Sequence, residues 1–344
     1  MEKLLSSDRI KAEALRLGFS ACGLAPAEAV DETVATAFRQ WLADGCQAEM
    51  AYMQNYEDKR LDPRLLVEGA RTVISVALNY YPAKKLPEGE YQIAWYAYGK
   101  DYHDVMKGKL KELFEFIEKE VSFSEETDST IASTNNIGTY TENYASAPQA
   151  PVSQTSASPL QGRIFCDTAP ILERYWAWRT GLGWIGKNTH LIIPHAGSCF
   201  FLGEIILDRE ADNYDSPQRN QCGSCTRCLD ACPTGALEGP RHLNARKCLS
   251  YLTIENRGEI PAEQASRLGN RLYGCDTCQE VCPWNRFARP TQIEAFRPKP
   301  ALLSLRKEDL KVFSREDYNR IFAKSAVKRA KYEGLIRNIH NLKD

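Results

Sequence analysis

The chain lacks any apolar run of the roughly 18 residues that a membrane span needs. It also lacks a charge surplus: 44 Lys and Arg stand against 45 Asp and Glu, a formal net charge of −1. A diffuse positive field that would wrap the protein in nucleic acid is thereby excluded, though a local basic patch is not. The opening MEKLLSSDRIKAEALRLGF carries charges throughout and has no apolar stretch leading to a small-residue cleavage site. No secretory signal is read there. These absences lead to the expectation of a cytoplasmic protein with no membrane partner. One stretch, residues 122–162, lacks Lys and Arg altogether and is rich in Ser, Thr, Asn, Gln and Ala. Such composition buries too little apolar surface to offset chain entropy, so a disordered insertion without a role is expected.

Cysteine, by contrast, is plentiful: twelve in 344 residues. Eight fall between Cys222 and Cys282 at short, regular spacings. In a reducing compartment such a pattern favours metal ligation over disulfides. The first run, Cys222-Gly-Ser-Cys225-Thr-Arg-Cys228-Leu-Asp-Ala-Cys232-Pro233, is the C-x2-C-x2-C-x3-C-P run of bacterial ferredoxins. Three close thiolates wrap one cubane and the fourth reaches the other. The second run, Cys275-Asp-Thr-Cys278-Gln-Glu-Val-Cys282-Pro283, matches the last three positions of that pattern, but Leu272 stands at the first. Cys248 is the remaining nearby thiol and is expected to replace it. One [4Fe–4S] cluster would then take Cys222, Cys225, Cys228 and Cys282; the other would take Cys232, Cys248, Cys275 and Cys278. Zinc would want two C-x2-C knuckles per ion without the C-x3-C-P ending. Cys22, Cys46, Cys166 and Cys199 read as small buried hydrophobes.

Around this module the fold class expected is α+β. Residues 1–210 form an N-terminal α/β domain, 211–290 a ferredoxin-like two-cluster domain, and 291–344 a short helical C-terminus. Helical periodicity marks 31–44 and 104–121, and 170–180 is a helix rich in aromatics; 71–80, 190–194 and 199–208 read as strands. Gly181-Leu-Gly183-Trp-Ile-Gly186 matches the dinucleotide fingerprint by letter. The order is reversed, helix before and strand after, so it is not read as an NAD site. From Arg315 to Asp344, eight basic residues stand against four acidic ones. That excess is either a solvated helix face or a phosphate grip, with Lys324, Lys328 and Lys331 on one face.

Further motifs run along the chain. They are Arg60-Leu-Asp62-Pro63, Tyr98-Gly99-Lys100-Asp101-Tyr102-His103, Asp167-Thr-Ala-Pro170 with Glu173-Arg174, Gly186-Lys187 and Gly203-Glu204-Ile205. The most specific stretch runs from Cys248-Leu-Ser250-Tyr251 to Gly274-Cys275-Asp276 and on to Trp284-Asn285. In these the chain resembles the epoxyqueuosine reductases, cobalamin-dependent iron–sulfur enzymes of tRNA modification. The resemblance implies reduction of epoxyqueuosine to queuosine at the wobble position of tRNA. It implies two [4Fe–4S] clusters, a cobalamin between the N-terminal domain and the cluster module, and an external low-potential donor of ferredoxin or flavodoxin type. It makes Asp167 the proton donor, an acid whose pKa is expected to be raised beside the corrin. Arg60, Tyr102, Asp167, Lys187, Ser250 and Asp276 are the candidate cobalamin contacts. His103 is not assigned as a cobalt ligand, since a lone His is more often satisfied by hydrogen bonds. The alternatives are a related corrinoid reductive dehalogenase, which would normally carry an export signal, and a plain ferredoxin-type electron carrier.

Overall fold

The computed structural model describes residues 4–131 and 159–342. At its centre lies a four-stranded sheet of β1 (Ala21–Pro26), β2 (Thr72–Asn79), β3 (Gly162–Phe165) and β4 (Phe200–Leu207). Its spatial order is β1-β2-β4-β3 and every neighbouring pair is antiparallel. Helices α1 (Ser7–Arg16), α2 (Glu32–Ala43), α3 (Tyr102–Ile131) and α4 (Glu173–Arg179) cover its two faces. The α+β class is thus realised with helices on both sides of an antiparallel sheet.

Strand β2 is buried along nearly its whole length because both of its faces are covered, and it is mostly apolar, with Ser75 the polar residue at its centre. Ile74, Val76 and Leu78 join Ile205 and Leu207 of β4 in the main core, with Ile10 and Ala14 of α1 and Met106, Leu110 and Ile117 of α3. The C-terminal helices α5 (Arg315–Ile321) and α6 (Lys331–His340) add Tyr318, Ile321 and Leu335 to that same core. Residues after 291 are therefore packed onto the N-terminal part rather than appended to it. A short parallel pairing of Gln92–Ile93 with Arg271–Tyr273 ties the cysteine-rich region to the same body.

Helix α3 runs to Ile131, into the stretch expected to lack structure. Once a helix is nucleated, each further residue adds a hydrogen bond at little cost, so polar Ser and Glu need not stop it. The remainder of that stretch, 132–158, lies outside the described residues, and with it the expectation of a functionless insertion.

The opposite face of the sheet carries Gly23, Ser75, Glu204 and Phe165 in one cross-strand row. Helix α4 lies close over it, because Gly23 has no side chain. A Cβ there would stand 2.0 Å from the Thr180 carbonyl oxygen. Gly23→Ala is therefore expected to push α4 outward and destabilise the fold by about 1–3 kcal/mol. Urea denaturation checks this; an unchanged midpoint would mean that α4 is not held by this contact.

Candidate functional site

A cleft of about 1780 Å3 opens between the α4 side of the sheet and the cysteine-rich region. This exceeds the ~300–1,000 Å3 of a typical small-molecule pocket, leaving room for a large cofactor and a substrate group together. Its apolar wall comes from α2. Val34, Phe38 and Trp41 form the helical stripe expected from the sequence, but only Ala35 of α2 is fully buried. Val34 and Phe38 pack in part against the core on that side of the sheet and, with Trp41, also line the cleft. Two donors in the wall, Arg60 Nε and Trp184 Nε1, are buried without a hydrogen-bond partner among the described residues. Unmet donors beside an apolar wall suit a broad, flat ligand with acceptor groups at its edge.

Asp167 sits at the cleft in a left-handed conformation, φ 57°. Such backbone is uncommon outside glycine and concentrates at functional sites. Tyr102 Oη donates to Asp167 Oδ2 at 2.6 Å, and His103 Nε2 lies 3.0 Å from the same oxygen. The other ring nitrogen of His103 is 2.7 Å from Asp101 Oδ1. Tyr102 is clamped between the His103 ring, centroids 4.1 Å apart, and Phe201, 4.3 Å and nearly parallel. The backbone N–H of Asp167 donates to Glu173 Oε1.

This arrangement corrects the expectation of a raised Asp167 pKa. Burial does push its carboxyl up, but hydrogen bonds from His103 and Tyr102, with the charges of His103 and Arg329, outweigh it and hold the carboxyl below its usual range. The proton resides one atom further on. Hydrogen bonds to Asp101 and Asp167 raise His103 to about 9. Near neutral pH the site is an imidazolium held between two carboxylates. The imidazolium persists below about pH 9, so turnover should lose one ionisation as pH rises through that value. His103→Gln should abolish this limb of the pH–rate profile; a limb near 9 that survives the substitution would belong to another group.

The other expected cofactor contacts divide. Arg60 and Ser250 line the cleft, as do Tyr102 and Asp167. Arg60 donates to the Tyr52 carbonyl at 3.0 Å, which leaves its Nε directed elsewhere. Lys187 and Asp276 do not line it. Lys187 Nζ donates to the carbonyls of Gly223 and Cys225 at 2.8 and 2.9 Å and so braces the first cysteine loop. Asp276 accepts the Trp95 backbone N–H at 2.8 Å and is consumed by that junction. Arg329, read from the sequence only as one of the C-terminal basic residues, reaches the cleft and is gripped by both oxygens of Glu255 at 2.7 and 2.8 Å.

The eight thiols stand as two groups. Burial, then the charges of Cys222 and Cys225, pushes up the Cys282 thiol, and Cys228 is raised by burial and by Cys282 and Cys222. Cys248 is raised by burial and by Cys275 and Cys232; Cys278 by burial and by Cys275, Cys248 and Cys232. Each group thus joins thiols distant in sequence. Among the described residues, no three His, Cys, Asp or Glu side chains converge on the point a single ion requires. Cys248 lines the cleft, so the second group borders it. Cys46, Cys166 and Cys199 are buried and Cys22 partly so.

The basic C-terminal residues do not form one face. Lys324 lies in a turn with φ 51°, Lys328 in a short 3-10 segment, and Lys331 opens α6 with φ 60°. Turn residues between two helices reset the helical phase, which sequence spacing alone does not reveal. Lys328 Nζ donates to Asn319 at 2.7 Å, and Arg337 donates to the carbonyls of Leu252, Asn256 and Gly258. Arg315, Arg320 and Arg329 are ion-paired. Most of the local positive charge is therefore spent on structure.

An antiparallel α+β body with a two-group cysteine module bordering a proton-bearing cleft defines a class: iron–sulfur oxidoreductases that act on a substrate beside their electron carriers. Comparison narrows it. Residues 221–285 match the 4Fe-4S double cluster binding domain and residues 60–130 match the family described as epoxyqueuosine reductase QueG, DUF1730. The epoxyqueuosine reductase of Cellulophaga algicola is 45% identical, covering 98% of each chain, and that of Leadbetterella byssophila 44%, again covering 98% of each. Among solved structures, an epoxyqueuosine reductase with an epoxyqueuosine-modified tRNA-Tyr stem loop superposes with a TM-score of 0.78 at 28% identity, covering 97% of this chain and 79% of that one. The chain belongs to the epoxyqueuosine reductase family, oxidoreductases with two [4Fe–4S] clusters and cobalamin. No helix among the described residues is long and apolar enough to cross a membrane.

Proposed function

We propose that this chain reduces epoxyqueuosine to queuosine at the wobble position of tRNA, taking electrons from a small low-potential ferredoxin or flavodoxin. The observation that supports it most is one cleft bordered on one side by Asp167, Tyr102 and His103 and on another by Cys248. One cluster is held by Cys222, Cys225, Cys228 and Cys282; the other by Cys232, Cys248, Cys275 and Cys278. Cobalamin, when bound, supplies a strongly reducing cobalt centre that accumulates electrons delivered singly.

The chain's own residues do the rest. The Val34, Phe38 and Trp41 stripe would offer an apolar surface to the corrin, and the unpartnered Arg60 and Trp184 donors would meet acceptors at its edge. Tyr102 orients the Asp167 carboxylate by hydrogen bonding to Oδ2. The His103 imidazolium delivers a proton to the departing epoxide oxygen through Asp167. Because the modified base sits in an anticodon loop, it enters the cleft unstacked from its neighbours. A cytoplasmic location follows from the need for reduced thiols and for tRNA.

Two measurements test this reading. Anaerobic reconstitution should give about eight irons and eight acid-labile sulfides per chain, from two four-iron clusters; two zinc ions without sulfide would exclude it. Expression in a bacterium that accumulates epoxyqueuosine should restore queuosine to its tRNA. Persistence of epoxyqueuosine despite soluble, cluster-loaded protein would overturn the assignment.

A further inference from the structure

Reduction of an epoxide to an alkene breaks two C–O bonds, forms one C=C bond, takes up two electrons and releases the oxygen as water. The oxygen needs two protons, and the His103–Asp167 pair holds one. The row beneath α4 contains a second store. Glu204 is 0% exposed, at the middle of β4, and neither carboxyl oxygen has a hydrogen-bond partner among the described residues. Directly opposite it on β2 is Ser75, also 0% exposed, whose hydroxyl is likewise unpartnered. On α4 above them, the buried Trp176 indole N–H has no partner either. Three unmet polar groups in an otherwise apolar interior carry a substantial cost, since a desolvated group without a hydrogen bond disfavours folding. A carboxyl so placed remains protonated.

Glu173 connects this interior to the cleft. It begins α4, lines the cleft, and accepts the backbone N–H of Asp167, the residue that follows β3 and Cys166. Across the sheet, Phe165 of β3 pairs with Glu204. Glu173 thus faces the cleft and Glu204 the interior on the same side of the sheet, related in space through Asp167 and Phe165, with no hydrogen bond joining the two carboxyls among the described residues.

We propose that Glu173 supplies the second proton of the reaction and that Glu204 behind it replaces that proton. Glu173 passes H+ to the leaving oxygen and becomes a carboxylate; Glu204 reprotonates it; both recover protons from solvent after water leaves. This inference rests on the reductase reading. The charges around the pair fit the role. Burial and then Asp167 raise Glu173 to about 7, against the opposing charges of Arg174 and His103. Burial and then Glu173 push Glu204 well above its ordinary range. Ser75, Phe165 and Trp176 bring no further charge to Glu204.

Glu204→Gln tests the proposal cleanly, because glutamine copies the size and neutrality of a protonated glutamate. The infrared spectrum of the cluster-loaded protein at neutral pH should contain a protonated-carboxyl C=O band that Glu204→Gln removes. Turnover of epoxyqueuosine tRNA should fall at least tenfold and be partly restored by a small diffusible acid. Glu173→Gln should remove the ionisation near pH 7 from the pH–rate profile while leaving the one near 9 that belongs to His103. Absence of the infrared band, or full turnover by Glu204→Gln, would overturn the proposal. Wild-type inactivity on epoxyqueuosine would instead condemn the reductase reading, with the infrared result left standing on its own.

Discussion

Asp167→Asn should lower turnover by ~10²–10⁴-fold, the range typical for loss of positioned acid–base catalysis. Asparagine keeps the shape of the side chain and can still accept from Tyr102, so cobalamin binding and its reduction should be unchanged. What disappears is the carboxylate that relays the proton from His103. The same substitution removes one of the two carboxylates that raise His103, so the ring should titrate at lower pH than about 9. An assay of cobalamin affinity, cobalt reduction and tRNA turnover on one preparation separates these effects. Normal turnover would remove Asp167 from the mechanism; loss of cobalamin binding would make it a cofactor ligand instead.

Cys282→Ser should be equally severe and more informative about wiring. Cys282 follows Cys278 in sequence by a single helical turn (Thr277–Glu280), yet its thiol is influenced by Cys222 and Cys225 on the other loop. The cluster lost should therefore be the one held by Cys222, Cys225 and Cys228, with iron falling from about eight toward four per chain. The surviving paramagnetic signal should be that of the cluster bordering the cleft. If the lost signal belongs to the Cys275 cluster, the crossed assignment is wrong. Because the donor-side cluster is the one removed, turnover driven by a protein donor should fail while the cleft-side cluster still accepts electrons from a small chemical reductant.

Much of the cysteine arrangement was legible because ligand chemistry imposes short spacings, and a proline after the last thiol marks where the chain turns. Cys248 was reached by elimination, and it stands on the cleft wall. The acid site was less legible. Tyr102 and His103 stand about 65 residues from Asp167 in sequence and meet it only because α3 and the end of β3 converge. Their adjacency to Asp101 in one motif was the available signal; it did not say that the proton would rest on His103. Helix α2 shows another limit. Its apolar stripe has the periodicity of a core helix, and periodicity does not reveal that the same residues that pack on the core also line a cleft. Lys187 and Asp276 sit in specific motifs but serve backbone junctions, which their place in the sequence does not reveal. Glu204 was visible only as the middle letter of Gly203-Glu204-Ile205; its isolation appears once β2 and β4 are paired.

Epoxide reduction in this cleft would draw on electrons passed from the clusters through cobalamin and on a proton held by Asp167 and His103. Its most direct test is an anaerobic incubation of cluster-reconstituted protein with epoxyqueuosine-containing tRNA and reductant, with and without cobalamin, followed by mass analysis of the wobble nucleoside. Conversion to a nucleoside lighter by one oxygen atom is expected only when cobalamin is present; equal conversion without cobalamin, or none in its presence by protein carrying both clusters, would rule out this chemistry.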